Sequence, residues 1–322
     1  MLNKKDLYGG VYGLAVGDAL GVPVEFLKRE VLDKDPVKGM EAGGTHRQKK
    51  GTWSDDTSMV LATLDAMGAG GLSFGMIMDN FKQWYAKDKY TATGKVFDVG
   101  GTTSAAIHNY MNGKPLDSCG FSDERSNGNG SLMRMLPMVY YVPLKHGLEV
   151  NSAAVEQIYR LSGLTHANIL CKICCVYYVY IGMCILEHGK EMGIHDAIKE
   201  AIRAVEHYYF MGLEEFPCVL RLLGTGSLLD CVNLNREDIG STGYVLHSLT
   251  ASIWCLWNSS GYEEAVLKAV NLGGDTDTTG AITGSLAGLY YGYGAIPKEW
   301  IRELKNKELI YYICDRFYEQ YK

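Results

Sequence analysis

Gly273-Gly-Asp-Thr-Asp-Thr-Thr-Gly280 sets two carboxylates, Asp275 and Asp277, one residue apart among glycines and threonine hydroxyls. Behind it, the run from Thr278 to Tyr290 is rich in Ala, Gly and Leu and reads as a helix that packs closely on a neighbour. A knot of oxygen donors at the mouth of such a helix suits hard divalent cations such as Mg²⁺ or Mn²⁺. The helical period continues outward in both directions. Gly243 to Trp257 carries the stripe Leu246, Leu249, Ile253 and Leu256. Tyr262 to Val270 is the next helix, and Trp300 to Tyr321 closes the chain.

Toward the N-terminus the same spacing predicts helices over Ile194 to Tyr209, Ala167 to Leu186, Ala153 to Leu161, Ser131 to Val142, Thr103 to Met111 and Phe74 to Trp84. Leu7, Val11, Leu14, Ala15 and Ala19 recur at helical steps and stop at Gly21 and Pro23. No convincing run alternates apolar and polar residues. Tyr177 to Ile181 has strand propensity but lies inside a long helical pattern. The expectation is one all-α domain over residues 1–322, with its chemistry on the loops that open helices.

Bulk composition excludes several classes. Apolar residues make up 47% of the 322, so a sizeable core can be buried. A net charge of -6 gives no general attraction to nucleic acid phosphates. Gly residues and Asp18 break the apolar run near Met1, which is not that of a signal peptide. The most apolar window, Ile169 to Leu186, contains Lys172 and is flanked by His166 and Glu187, as suits a buried helix better than a membrane span. Nine cysteines are scattered through apolar patterns, and no second pair answers Cys171-x-x-Cys174. Buried free thiols in a reducing cytoplasm follow, in a protein expected to be a monomer.

A second acidic knot, Thr52-Trp53-Ser54-Asp55-Asp56-Thr57, precedes Met59, Val60, Leu61 and Leu64. Ser54 is then a helix N-cap, and the two Asp residues favour the helix dipole. Taken with Asp275 and Asp277, they supply carboxylates for a pair of metal ions, with Ser54 and Thr278 hydroxyls and Glu25 completing the shells. The spacing lacks the remaining ligands of an EF-hand. Asp18 sits inside an apolar helix, so it needs partners and is read as structural. Asp98 precedes the Gly100–Gly101 turn, as a helix cap or as a reactive acid. Asn127-Gly-Asn-Gly-Ser131 with Arg134 is a glycine-rich turn suited to an anion, although it is not a P-loop. Arg134 reaches either a phosphate or a structural carboxylate. His166 is a satisfied structural histidine or a ligand contact, and Tyr244 is core or a stacking face.

In order along the chain, Gly17-Asp-Ala-Leu-Gly21 with Glu25, Ser54-Asp-Asp-Thr57, Asp98-Val-Gly100, Gly128-Asn-Gly130 with Arg134, Thr165-His166, Tyr244 and Gly273 to Gly280 resemble the ADP-ribosylglycohydrolase family, most closely its dinitrogenase reductase-activating type. The resemblance runs from about Tyr12 to about Trp300. It implies an orthogonal all-α helical bundle with a dinuclear Mn²⁺ or Mg²⁺ cleft. Ser54, Asp55, Asp56, Asp275, Asp277 and Thr278 would be metal ligands, with Glu25 beside them and Asp98 near the scissile bond. Gly128, Asn129, Gly130 and Ser131 would hold a diphosphate with Arg134. His166, Gly243 and Tyr244 would meet the adenosine end, and Gly100 would line the ribose pocket. The implied activity releases ADP-ribose from an ADP-ribosylated protein, most readily from arginine. Serine-linked or small-molecule conjugates, and a non-catalytic ADP-ribose-binding role, are the alternatives. Members often have Thr where Ser54 stands, and Asn where Gly101 stands. Serine keeps the hydroxyl, whereas Gly101 removes a side-chain amide and leaves the leaving group open.

Overall fold

The computed structural model describes residues 2–212 and 226–322, so Cys218 lies outside the described residues. The chain winds into α1 (Lys4–Gly21), a single-turn α2 (Arg29–Leu32), α3 (Asp55–Gly70), α4 (Phe74–Lys87), α5 (Gly101–Met111), α6 (Leu136–His146), α7 (Ser152–Gly163), α8 (Ile169–Met192) and α9 (Ile194–Gly212). Then follow α10 (Val245–Trp257), α11 (Tyr262–Val270), α12 (Thr276–Tyr291), α13 (Lys298–Glu303) and α14 (Lys307–Tyr321). Among the described residues there are isolated β-bridges but no strands. Tyr177 to Ile181 is buried helix.

Several helices start where small polar side chains satisfy otherwise unpaired amides. Ser54 accepts from the Asp56 amide, Ser73 from Met76, Asn151 from Ala154 and Asn168 from Leu170. Two expected helices are broken. Ser131 to Val142 becomes a 3₁₀ turn, Leu132–Arg134, before α6 begins with Pro137 in its first turn. That position tolerates Pro, because the missing N–H has no helical partner there. Trp300 to Tyr321 divides into α13 and α14, and Asn306 between them is left-handed at φ 48°.

One helix pair organises the molecule. α1 and α12 run antiparallel, with Gly9, Gly13 and Gly17 facing Gly288, Gly284 and Gly280. A Cβ on any of these six would overlap a backbone carbonyl of the other helix. The four-residue spacing puts the glycines on one stripe of each helix, so the backbones themselves touch. At the end of the seam Gly21 lies against the Asp277 backbone, and Thr276 Oγ1 donates to the Gly21 carbonyl at 2.8 Å. The C-terminus of α1 and the N-terminus of α12 are thereby held side by side.

α3 joins this corner through Asp18, which is fully buried in α1. Asp18 accepts from the Ser54 amide at 2.8 Å, from the Thr57 amide at 3.1 Å and from Thr57 Oγ1 at 2.6 Å. The structural reading of Asp18 fits this geometry: it pins the first turn of α3 to α1. α1 and α8 are each long and apolar enough to cross a membrane by length and composition. Both spend their apolar faces on neighbouring helices: Val179, Ile181 and Met183 of α8 are buried with Leu14 and Val16 of α1 in one core. Cys171, Cys174 and Cys175 lie on α8 as buried free thiols.

Candidate metal centre and cleft

The acids come from two helix openings and two loops. Asp55 and Asp56 occupy the first turn of α3, Asp275 caps α12 and Asp277 lies in its first turn. Glu25 follows the 3₁₀ turn Val22–Val24, where the chain leaves α1. Positive φ angles of 74° and 75° at Gly273 and Gly274 bend the second loop. The Phe26 amide then donates to the Gly274 carbonyl, and the Gly274 amide donates to the Leu27 carbonyl. This reciprocal pair draws Glu25 onto the Asp275 turn. One carboxylate oxygen each of Glu25, Asp275 and Asp277 lies within 4.8 Å of the others.

These carboxylates are crowded and under-bonded. Burial, then the charges of Asp98, Asp275, Asp55 and Asp18, push Glu25 up to about 10. Burial first, and the neighbouring acids second, also hold Asp55, Asp56 and Asp277 well above the usual carboxylate range. Asp56 Oδ1, Asp275 Oδ1 and Asp277 Oδ2 are buried without a hydrogen-bond partner among the described residues. A buried carboxylate oxygen without a donor is costly, and a cation is the partner that would satisfy several at once. The donor set is all oxygen, as Mg²⁺ and Mn²⁺ require. Ser54 Oγ and Thr278 Oγ1 approach Asp56 Oδ2 at 3.1 and 3.3 Å, close enough to join such a shell. The residues present fit a divalent-cation centre.

The acids floor one end of a cleft of about 250 Å³, where Glu25, Asp55, Asp98, Asp275 and Thr278 are exposed to the cavity. Its opposite wall is Gly100 to Thr103, Gly128 to Gly130, His166 and Gly243. Asn129 links the two ends, because its Nδ2 donates to Asp275 Oδ2 and to Ser248 Oγ, each at 2.8 Å. A Cβ at Gly130 would come within 2.8 Å of His166 Cε1 and 2.9 Å of Thr103 Oγ1. Glycine there keeps the backbone open to a ligand. Asp98 holds a left-handed φ of 49° two residues before the Gly100 cap of α5. Burial and the Asp275 charge raise it, against lowering by His46 and a hydrogen bond with Glu25.

Three expected ligand contacts lie elsewhere. Arg134 is fully buried and faces neither a phosphate site nor a carboxylate. Its Nε donates to the Gly130 carbonyl, its Nη2 donates to the Leu161 carbonyl and to Thr165 Oγ1, and its guanidinium stacks on Phe81. The 3₁₀ break before α6 turns it inward. Ser131 is also fully buried, bonded to Ser162 and touching Cys175. Tyr244 borders a separate recess with Leu228 and His247, whose ring meets it edge-on. Only its backbone neighbour Gly243 reaches the main cleft.

His46 is the residue that sequence reasoning missed. Its Nε2 is in contact with Glu25 Oε2, and Glu25, His46 and Asp98 form a second cluster within 4.8 Å. The preceding Gly43-Gly44 turn folds back on the first loop, so that the Thr45 amide and Oγ1 bond the Pro23 and Glu25 carbonyls. Gly-Gly-Thr-His echoes the Gly-Gly-Asp-Thr of the Asp275 loop, and that polar run after paired glycines was the available signal.

Comparison with known proteins gives the same reading. The ADP-ribosylglycohydrolase family model matches residues 3–322. ADP-ribosylarginine hydrolase Tri1 of Serratia proteamaculans (strain 568) is 30% identical over 311 residues, covering 96% of this chain and 78% of that protein. The ADP-ribosyl-[dinitrogen reductase] glycohydrolase of Rhodospirillum rubrum is 29% identical over 302 residues, covering 93% and 90%. A solved chain described as an ADP-ribosylglycohydrolase-related protein complex superposes with a TM-score of 0.76 at 29% identity, covering 99% of both chains. With the family's profile spanning nearly every residue, and an acid-floored cleft at the junction of α1, α3 and α12, the chain belongs to the ADP-ribosylglycohydrolase family and is a hydrolase.

Proposed function

We propose that this hydrolase removes ADP-ribose from ADP-ribosylated protein, that arginine is the modified residue, and that two divalent cations, Mg²⁺ or Mn²⁺, are needed. The reading rests above all on the buried, partnerless carboxylate oxygens of Asp56, Asp275 and Asp277 beside a cleft walled by glycines. Arginine is favoured by the similarity to the Serratia relative, an ADP-ribosylarginine hydrolase. The thiols suit a cytoplasmic setting, and we infer a monomer, which light scattering on the purified chain would test.

Asp55, Asp56, Asp275 and Asp277, with Ser54 and Thr278, are the residues that would hold the cations, with Glu25 beside them. When bound, such cations supply Lewis-acid polarisation and offset the charge of the cluster. The remaining steps belong to the chain. Fission of the C1″–N bond leaves its electron pair on the guanidine nitrogen and builds positive character at C1″. Asp98, at the cleft wall and raised above the usual carboxylate range, gives the departing nitrogen its proton. Glu25, ionised once the charge of the surrounding acids is offset, takes a proton from the water that adds to C1″, the second carboxylate role of glycoside hydrolysis. His46 holds Glu25 from behind, and Gly101 leaves the lip of the cleft without a side chain. The products are ADP-ribose and free arginine on the protein.

The test is ADP-ribose release from defined arginine-linked and serine-linked peptides, each with Mn²⁺, Mg²⁺ or chelator. Release from the arginine peptide alone, lost with chelator, is expected. Release from the serine peptide alone overturns the linkage, and release from neither overturns the activity.

A further inference from the structure

Behind the glycine wall of the cleft lies a chain of hydrogen bonds that the proposed chemistry does not use. Arg134 Nη2 donates to Thr165 Oγ1 at 2.9 Å. Thr165 Oγ1 lies 2.8 Å from His166 Nδ1. His166 is almost wholly buried, yet its ring lines the cleft, and no described residue bonds its Nε2. Thr165 is fully buried, so its hydroxyl proton needs an acceptor inside the protein.

The direction of these bonds fixes the protonation of the imidazole. A guanidinium has donors and no acceptors, so Thr165 Oγ1 must accept from Arg134. The hydroxyl proton then has His166 Nδ1 as its acceptor at hydrogen-bond distance. The opposite arrangement, with Nδ1 donating, would leave the buried hydroxyl proton with no acceptor among the described residues. A neutral imidazole that accepts at Nδ1 carries its proton at Nε2.

We infer that Arg134 and Thr165 are positioning residues that set His166 in the Nε2–H form, so that it presents a fixed donor to an acceptor atom of the ADP-ribosyl group lying along Gly128 to Gly130. This rests on the ADP-ribose reading of the cleft. It also assigns the buried cation a role: Arg134 acts on the ligand through Thr165 and His166 without touching it. The same guanidinium bonds the Gly130 carbonyl, so glycine wall and donor are set by one side chain.

Two measurements test it on the whole chain. Nitrogen-15 NMR of histidine-labelled protein reads the His166 tautomer without any ligand. The wild type is expected as the Nε2–H form, and Thr165→Val, which keeps the shape and deletes the hydroxyl, as a mixture or the Nδ1–H form. Calorimetric titration with free ADP-ribose is expected to weaken about tenfold in Thr165→Val, a loss of the size of one hydrogen bond. Thr165→Ser, which restores the hydroxyl, should recover both readouts. A wild-type Nδ1–H form, or Thr165→Val matching the wild type in tautomer and affinity, overturns the inference. Wild-type protein with the expected tautomer but no affinity for ADP-ribose overturns the ligand reading instead.

Discussion

At the scale of single residues, the acids of the cleft differ from Asp18, which holds the frame outside it. Asp98 and Asp277 both face the cluster, so Asp98→Asn and Asp277→Ala should each lower ADP-ribose release by about 100-fold or more while circular dichroism stays helical. Near-normal turnover in both would refute the scheme. Asp18 is different in kind, because its oxygens accept from two amides and a hydroxyl. Asp18→Asn replaces one of those acceptor oxygens with an N–H₂ that faces other donors, and should cost about 1–3 kcal/mol in urea unfolding. His166 gives a pH signature. Burial, aided by Arg134, pushes it down to about 3, against an ordinary 6.5. The unfolded chain therefore takes a proton that the folded chain refuses, and stability falls as pH drops from 6.5 toward about 3. His166→Gln should flatten that slope between about pH 7 and about pH 5 in denaturant titrations.

The acids were legible in the sequence because adjacent carboxylates beside glycines have few uses in a core. The inward turn of Arg134 was not. An Arg four residues beyond Gly130 faces the same side as the turn only if the helix starts there, and Leu132–Arg134 is 3₁₀ instead. His46 was hidden for another reason: it stands on an aperiodic loop 21 residues from Glu25, and only the folded Gly43-Gly44 turn brings the pair together.

At the scale of elements, the α1–α12 seam carries the site. Residue types and helical period were enough to place both helices, and the Ala/Gly/Leu richness of α12 foretold close packing. The identity of its partner was not readable until the four-residue glycine spacing in α1 was set against that of α12. A side chain in this seam has no room, since the atoms it meets are backbone carbonyls. Gly284→Leu should cost more than the roughly 1–3 kcal/mol typical of overpacking, or abolish soluble expression, whereas Gly75→Leu, in the first turn of α4 where a Cβ meets open space, should not. Thermal melts of both variants, side by side, check this.

Over the whole molecule, the proposed cation binding would be linked to folding. Burying several carboxylates so close together is unfavourable until charge is offset, so Mg²⁺ or Mn²⁺ at about 100 times its Kd should stabilise the fold by about 2.7 kcal/mol. Asp277→Ala should lose that increment in a thermal shift assay with and without chelator. An unchanged melting temperature for the wild type across those conditions would count against a bound cation. The all-α class was readable from periodicity alone, because no segment alternates. The two acid pairs suggested by their chemistry that the α3 and α12 openings meet, whereas the place of the α5 opening beside them was readable only through the resemblance, since nothing in local pattern says which loops meet.

The glycine seam also has a kinetic meaning. The Thr276 hydroxyl and the Gly21 carbonyl that it binds are 255 residues apart. Contacts of such sequence separation carry a loop-closure cost and slow the search for the native state. On a ribosome the first helix must wait, glycine face exposed, until the residues of α12 have emerged. Part of the carboxylate set is made early and part late, so a nascent chain does not carry the whole set until synthesis has passed Asp277.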